Sequence, residues 1–439
     1  MKFLHAADLH LDSPLRGLDA HDGAPVDRIR GATRKALIAM VDLALAESVQ
    51  VVVLAGDLYD GDWNDFSTGL FLRAQLVRLT QAGVRVFIAR GNHDAQSVIT
   101  RDLPKVEGVH VFDARKAESI ELAEHNLVVH GRSFPRREVY EDLVTSYADA
   151  VPGRFNLGVL HTSLVGHVDH VPYAPTTIAG LSSKGYDYFA LGHVHTRQVV
   201  QERSPRIVFP GNLQGRHAKE TGPKGCDVVT VENGVIVSAE FVALDVVRWH
   251  RIEIDVADLH DVDGLARRVG ERLQEQLTDG GERLHAVRLH LTGRSPLHAL
   301  EAGSPGSLDA AVRAAAQEMA ADLWIEQVKV ALSSPFDRQS AAGRPDAFGE
   351  VVSLVNGLLA DEVAGREWTL AQLGERPRLP RALEGVEGLD ITTLSAEDWR
   401  QLLLDAESSV LAQLMPLLEG ASDAVSTARG ADGASKVGP

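Results

Sequence analysis

The chain has 439 residues, 44% of them hydrophobic, 24% charged and 5% aromatic, a globular composition long enough for two or three domains with cores of their own. Its 44 basic and 61 acidic side chains leave a net charge of −17, a poor balance for gripping nucleic acid, whose phosphates are held mainly by Lys and Arg. The single cysteine, Cys226, excludes an internal disulfide framework, an iron–sulfur cluster and a thiolate zinc site, and no apolar run approaches the roughly 18–20 residues of a membrane span.

The N-terminus, Met1-Lys2-Phe3-Leu4-His5, enters a strand directly and carries no signal-peptide core, so a cytoplasmic location is expected. Lys2–Ala7 is a short apolar run, and Ala32–Ser48 has helical spacing through Ala36, Leu37, Met40, Val41 and Leu45. Val51–Ala55 is continuous and valine-rich, the pattern of a strand buried on both faces. Leu70–Ala82 suits a helix and Val84–Ala89 another strand, so the first ninety residues read as β-α-β units with a largely parallel core. Further strands are predicted at Leu127–Gly131, Leu157–His161, Tyr186–Leu191 and Ile207–Phe209. Val228–Val231 and Val235–Phe241 form a hairpin about Asn233-Gly234. Beyond Val246 a smaller β-α-β-α-β unit follows, with strands at Trp249–Val256, His285–Leu291 and Trp324–Leu332 and helices at Val262–Gln276 and Leu308–Ala321. After Gly343 the chain reads as helical over Phe348–Leu359 and Trp399–Leu418, with Pro416 expected to kink or end the second helix. Gly374–Gly388 has the composition of a linker.

Histidines and carboxylates gather where the predicted strands end. Asp8-Leu9-His10 follows the first, Gly56-Asp57 the second and Gly91-Asn92-His93-Asp94 the third; His161 ends a later strand and Gly192-His193-Val194-His195 follows another. In open α/β sheets these ends form the ligand crevice. Oxygen and imidazole donors without thiolate suit Mn²⁺, Fe²⁺ or Zn²⁺. With His93 and Asp94 set aside, seven candidate ligands are too many for one ion that keeps an open position. Divided between two ions through one bridging carboxylate, they leave room for water at each, the arrangement that offsets charge on both oxygens of a displacement at phosphorus. Asp8 and His10, two residues apart, share one face along an extended strand, as do His193 and His195 if that segment stays extended. Any one of these residues alone is an ordinary turn or core residue; the ordered set is specific.

That set resembles the calcineurin-like metallophosphoesterase superfamily over about residues 1–240. The carrying blocks are Asp8-Leu9-His10, Gly56-Asp57-Leu58-Tyr59-Asp60, Gly91-Asn92-His93-Asp94 and Gly192-His193-Val194-His195. Leu4-His5-Ala6-Ala7-Asp8-Leu9-His10-Leu11-Asp12-Ser13-Pro14, Pro210-Gly211-Asn212-Leu213-Gln214-Gly215-Arg216-His217 and Gly222-Pro223-Lys224-Gly225 resemble more closely the SbcD-like DNA repair exonucleases, in their YhaO-like branch. The resemblance implies an α/β (α+β) fold, a β-sandwich flanked by helices, with a small capping domain and terminal helices. It implies one ion held by Asp8, His10 and His195, a second by Asn92, His161 and His193, and Asp57 bridging. His93 is then the histidine that stabilises the transition state and protonates the leaving oxygen, and Asp60 is either the carboxylate that orients His93 or an outer-shell water, or a turn residue. Arg216 and His217 stand in a loop near the metals, where a guanidinium could grip a phosphate. The ions expected are two divalent ones, Mn²⁺ first, with Fe²⁺, Zn²⁺ or Mg²⁺ as the others.

The domains expected are 1–245 catalytic, 246–335 capping, 345–420 helical and 421–439 a disordered tail. Residues 1–250 carry 26 basic and 30 acidic side chains and residues 251–439 carry 18 and 31, so the acidity belongs mostly to the second part and does not veto a nuclease. The leucine-rich terminal helices either pack on their own domain or, as the resemblance suggests, dock a coiled-coil ATPase of the SbcC type. The reading is thus a metal-dependent phosphodiesterase, an exo- or endonuclease on DNA in repair. A phosphoesterase for nucleotides or phosphoproteins and a weakly catalytic DNA-binding or scaffolding subunit are the alternatives. The sequence is compatible with a homodimer without requiring one.

Overall fold

Side-chain alternation along the first strands decides how the layers form. β1 (Lys2–Ala6), β2 (Val51–Leu54) and β3 (Arg85–Ile88) are buried on both faces, and successive residues therefore enter different cores. Leu4, Ala6, Val52, Leu54, Val86 and Ile88 pack against Ala36, Leu37, Met40, Leu72, Leu76 and Leu79 of the helices Ala32–Ala46 and Phe66–Gln81. Phe3, Val51, Val53 and Phe87 face the other way, into a core shared with a second sheet. The computed structural model describes residues 1–15, 23–60, 66–96, 105–164, 173–277, 283–319, 322–335, 338, 343–373 and 394–431. The linker read at 374–388, residues 432–439 of the tail, His21, Trp63, His167 and His170 lie outside the described residues.

The first sheet is completed on one side by β4 (Val109–Val111). The second sheet follows in the chain as β5 (Glu118–Leu122), β6 (Leu127–Gly131), β7 (Phe155–His161), β8 (Tyr188–Gly192), β9 (Gln198–Gln201) and β10 (Arg206–Phe209). The chain then returns to the first sheet through the hairpin β11 (Gly225–Glu232) and β12 (Val235–Ala243). The orders are β12-β11-β1-β2-β3-β4 and β5-β6-β7-β8-β10-β9. β1, β2, β3 and β4 are mutually parallel, as are β6, β7, β8 and β10, while the outer strands β11, β12, β5 and β9 pair antiparallel. The fold is α/β, two mixed sheets flanked by helices. Between them lie Leu127, Val129, Phe155, Leu157, Val159, Tyr188, Ala190 and Val208, opposite the inward residues of the first sheet. On the far face of the second sheet Leu160, Phe189, Leu191, Ile207 and Phe209 pack with Phe134, Val139, Leu143 and Tyr147. β4, β5 and β9 escape the sequence reading because they are short edge strands of mixed polarity with no periodic signal.

The chain divides into two compact units, one of Met1–Arg251 with Asp279–Arg288 and Ala320–Glu326, the other of Ile252–Thr278, Leu289–Met319 and Gln327–Pro439. A third sheet has the order β13 (Val247–Asp255), β14 (Leu284–Arg294), β15 (Leu323–Ser333). Helix Val262–Gln276 starts where the Asp261 carboxylate accepts from Gly264 N at 2.7 Å, and it buries Leu265, Val269 and Leu273, one turn apart. Helices Ala347–Ala360 and Ala396–Ala431 pack on each other through Phe348, Val352 and Leu411 and through Val355, Trp399 and Leu403. Much of the leucine face is thus spent inside its own unit, although Leu354 and Leu402 are exposed. The last helix runs through Pro416 and on to Ala431, beyond the end expected at Leu418 and into the stretch read as a disordered tail. A proline removes one hydrogen bond, while Ala- and Glu-containing flanks favour helix. No helix among the described residues is long and apolar enough to cross a membrane.

Phe87 is fully buried between the sheets and stacks near Phe112, ring centroids 6.1 Å apart. Phe87→Ala is expected to destabilise the sandwich by about 3–5 kcal/mol. Chemical denaturation monitored by circular dichroism should show this; an unchanged midpoint would contradict the inter-sheet core.

Candidate metal centre

The parallel strands bring their C-terminal ends to a common edge, and the motif residues stand there. Two ties join the sheets nearby: the His5 ring lies 3.1 Å from the Tyr188 hydroxyl and 3.2 Å from Leu191 O. The first correction to the sequence reading is how Asp8 and His10 converge. β1 ends at Ala6, and Asp8, His10 and Asp12 have φ of 52°, 42° and 53°; they are not on an extended strand. Asp57 (φ 51°) and His193 (φ 105°) are likewise left-handed, so His193 and His195 do not share a strand face either. A turn, tighter than a strand, aims these side chains inward. Such backbone costs about 1–3 kcal/mol per residue and persists where surrounding contacts over-determine it. Here the contacts are evident: Asp8 N donates to Gly56 O at 2.9 Å, His10 N to Asp57 O at 3.0 Å, and His193 N to both Asp8 carboxylate oxygens at 3.1 and 3.0 Å.

Two glycines permit the approach. A Cβ on Gly56 would lie 2.3 Å from His161 Nδ1, and one on Gly91 2.3 Å from Asp57 Oδ1. Asp94, buried, accepts from Leu58 N at 2.8 Å, Tyr59 N at 3.2 Å and Gly91 N at 3.0 Å, riveting the loop after β2 to the loop after β3. Burial, with Asp57 adding repulsion, raises its carboxyl to about 7.

The donor atoms form three groups, each within 4.8 Å: Asp8, His10 and His195; Asp8, Asp57 and His161; and His10, Asp60 and His93. Their hydrogen bonds assign the lone pairs. Asp60 Oδ1 lies 2.9 Å from His10 Nδ1, and Glu220 Oε1 lies 2.7 Å from His195 Nδ1. Burial works against ionising these two carboxyls, but the imidazole and Arg216 contacts hold both well below the usual carboxylate range. The carboxylates require each Nδ1 to donate, although Arg216 Nη2 also approaches His195 Nδ1 at 3.3 Å, and in the neutral ring Nε2 is then the nitrogen left to accept. Those two Nε2 atoms face each other at 3.1 Å, beside the Asp8 carboxylate. Burial and the nearby Arg216 push His10 down to about 4, so a proton does not separate the pair from the His10 side. Around His161, Nδ1 meets Ala55 O at 2.9 Å, while Nε2 faces Asn92 Oδ1 at 2.9 Å and Asp57 Oδ2 at 3.4 Å. Burial opposes a charge on this ring, but Asp57 and Asp8 overcome it and raise it to about 9. Both clusters of acceptors thus demand positive charge, supplied by a proton or a divalent cation, and the donor set fits hard or borderline ions.

Each residue named from sequence can now be placed. Asp8, His10, Asp57, Asn92 and His161 are buried, and the structure brings them together with the half-buried His195. His193 meets Asp8 through its backbone and His161 edge-on, ring centroids 5.2 Å apart, but it belongs to none of the three groups. His93, with its side chain 32% exposed, lies 3.3 Å from Asp60, and its backbone N donates to Asp57 Oδ1 at 3.0 Å. Asp60 therefore contacts His10 as well as His93. Arg216 is engaged by Glu220 at 2.9 Å and by Asp60 at 3.4 Å; His217 is 55% exposed, 3.7 Å from Glu220. Tyr59 of the second motif block is core. The sequence reading missed Glu220 and set Asp94 aside. For Glu220 the only signal was its place four residues after Arg216 in a polar loop.

Residues 1–197 match the calcineurin-like phosphoesterase family, and residues 249–333 match the family described as "Metallophosphoesterase YhaO, middle domain". The chain belongs to the calcineurin-like metallophosphoesterases, metal-dependent hydrolases of phosphoesters. Among relatives it is similar to the "Uncharacterized metallophosphoesterase YhaO" of Bacillus subtilis, at 36% identity over 313 residues, 70% of this chain and 76% of that protein. It is also similar to the "DNA double-strand break repair protein Mre11" of Sulfurisphaera tokodaii, at 23% identity over 305 residues, 67% of this chain and 74% of that protein. Of solved structures, a dimetal phosphatase from Danio rerio is 14% identical, covering 52% of this chain and 92% of that one, with a TM-score of 0.33.

Two outcomes are expected. Gly91→Ala forces Asp57 aside, and equilibrium dialysis with Mn²⁺ should show at least about a tenfold loss of affinity; undiminished binding would refute the close-approach role of Gly91. His161, raised to about 9, must lose its proton before its Nε2 can bind a cation. Mn²⁺ binding near pH 7.5 should therefore release a proton, affinity should weaken as pH falls, and release should vanish as pH rises past 9. Calorimetry in buffers of different ionisation enthalpy measures this, and proton uptake would contradict it.

Proposed function

We propose that the chain is a two-metal DNA nuclease that hydrolyses phosphodiesters in repair, in the cytoplasm, alongside a coiled-coil ATPase of the SbcC type. The observation that carries the hydrolytic part is the meeting of the His10 and His195 Nε2 atoms beside Asp8, next to the Asp57, Asn92 and His161 cluster. Asp8, His10 and His195 would hold one ion, Asn92, His161 and His193 the other, and Asp57 both. Bound there, two divalent ions, Mn²⁺ foremost, would supply Lewis acidity at phosphorus and make water a nucleophile at neutral pH. His93 acts at the leaving side. Asp60 holds its Nδ1, so Nε2 is the nitrogen that donates a proton to the departing oxygen. Arg216 and His217 face the phosphate from the loop after β10, Arg216 through whatever reach its two carboxylate contacts leave it.

The DNA substrate is supported by similarity to Mre11 proteins named for double-strand break repair, and by the appended region matching the YhaO middle domain. The net charge of −17 predicts a weak grip on DNA by the chain alone, which gives an ATPase partner a physical role.

Purified full-length protein with Mn²⁺ should degrade linear and nicked DNA. Turnover of small phosphodiesters or nucleotides with intact DNA would overturn the nuclease reading and leave the metallophosphoesterase. His93→Ala should lower kcat at least about a hundredfold with two ions retained, as measured by elemental analysis. Asp57→Ala should empty both sites; two ions retained in that variant, or both lost in His93→Ala, would sink the assigned roles.

A further inference from the structure

Arg216 lies between two carboxylates whose other partners are imidazoles of the same candidate ion site. Glu220 reaches His195 Nδ1 at 2.7 Å and Asp60 reaches His10 Nδ1 at 2.9 Å, and the Arg216 guanidinium contacts both carboxylates, at 2.9 and 3.4 Å. The order His10, Asp60, Arg216, Glu220, His195 closes on itself, since the two Nε2 atoms end 3.1 Å apart. We infer that Glu220 is a positioning residue for the ion site of Asp8, His10 and His195, and that Arg216 is the strut that lets two anionic carboxylates stand on either side of it.

Three observations support this. Glu220 is 7% exposed and fully engaged: its Oε2 accepts from Asn212 Nδ2 at 2.9 Å and from Arg216 N at 2.8 Å, so its Oε1 has one orientation to offer His195. His195 comes from the loop after β8, with its backbone carbonyl also held, by Lys224 Nζ at 2.7 Å, and so depends on the 210–224 loop for its position. A carboxylate on Nδ1 fixes the tautomer and makes Nε2 a better ligand, whereas without it the ring can flip or present N–H to the ion. The His161 cluster receives nothing from Glu220; its Nδ1 is held by Ala55 O. The effect is therefore confined to one ion.

The inference rests on the two-metal reading above, and the test separates the two. Mn²⁺ isotherms on the full-length chain are measured by calorimetry, with electron paramagnetic resonance distinguishing paired from single ions. The unaltered chain should take up two ions; failure there overturns the two-metal reading. With Glu220→Ala, one binding step should weaken by about ten- to a hundredfold while the other stays within twofold, and the spin-coupled signal should give way to that of an isolated ion. Glu220→Gln keeps a carbonyl acceptor of the same shape, so it should fall between the two and serves if the alanine variant fails to fold. Both steps unchanged, or both weakened equally, overturns the positioning role.

Discussion

Imidazole nitrogens and carboxylate oxygens crowded together in a buried place are the constraint on which this molecule is built. His10 and His195 each commit Nδ1 to an ionised carboxylate and turn their Nε2 atoms toward each other, 3.1 Å apart, near the cluster of Asn92, Asp57 and His161. Such an arrangement repels itself unless positive charge lies within it, and a low-dielectric interior magnifies the repulsion. Asp57 and Asp8 press that demand on His161 and raise its basicity to about 9. A divalent ion would meet it more completely, turning the repulsion into an affinity for metal.

Holding such a cluster needs rigidity, and the sandwich supplies it. The two sheets share an apolar core rich in Phe, Val and Leu, and the motif loops leave it from neighbouring parallel strands, so their spacing is set by the strand spacing. The left-handed residues Asp8, His10, Asp57 and His193 are kept in place by backbone hydrogen bonds between loops, and Asp94 cross-links two of them. Gly56 and Gly91 complete the arrangement by having no Cβ, since His161 and Asp57 occupy the space one would take.

The distribution of charge is consistent with this division of labour. Residues 1–250 are close to neutral relative to their size, while the excess acidity lies beyond residue 250, on segments whose described leucines largely pack within their own unit. Val352, Leu403 and Leu411 are core, and among the leucines whose burial is described Leu354 and Leu402 are exposed.

How much of this was legible beforehand follows from the range of each interaction. Periodic burial is local, so the strands β1, β2, β3 and β6 to β8 and the helix Val262–Gln276 could be read from the chain, as could the residue types that mark a metallophosphoesterase: Asp8, His10, Asp57, Asn92, His93, His161, His193 and His195. Sequence alone therefore determined the sheet-forming core, the family and the kind of donor atom. It could not determine that Asp8 and His10 converge through left-handed turns, since a D-x-H spacing reads the same on a strand. Nor could it reveal that Arg216 spans Asp60 and Glu220, that Glu220 holds His195, or that Asp60 serves His10 as well as His93. Those facts belong to the tertiary structure alone, because a hydrogen bond between residues 25 to 156 positions apart leaves no periodic trace in the chain and exists only once the sheets have packed.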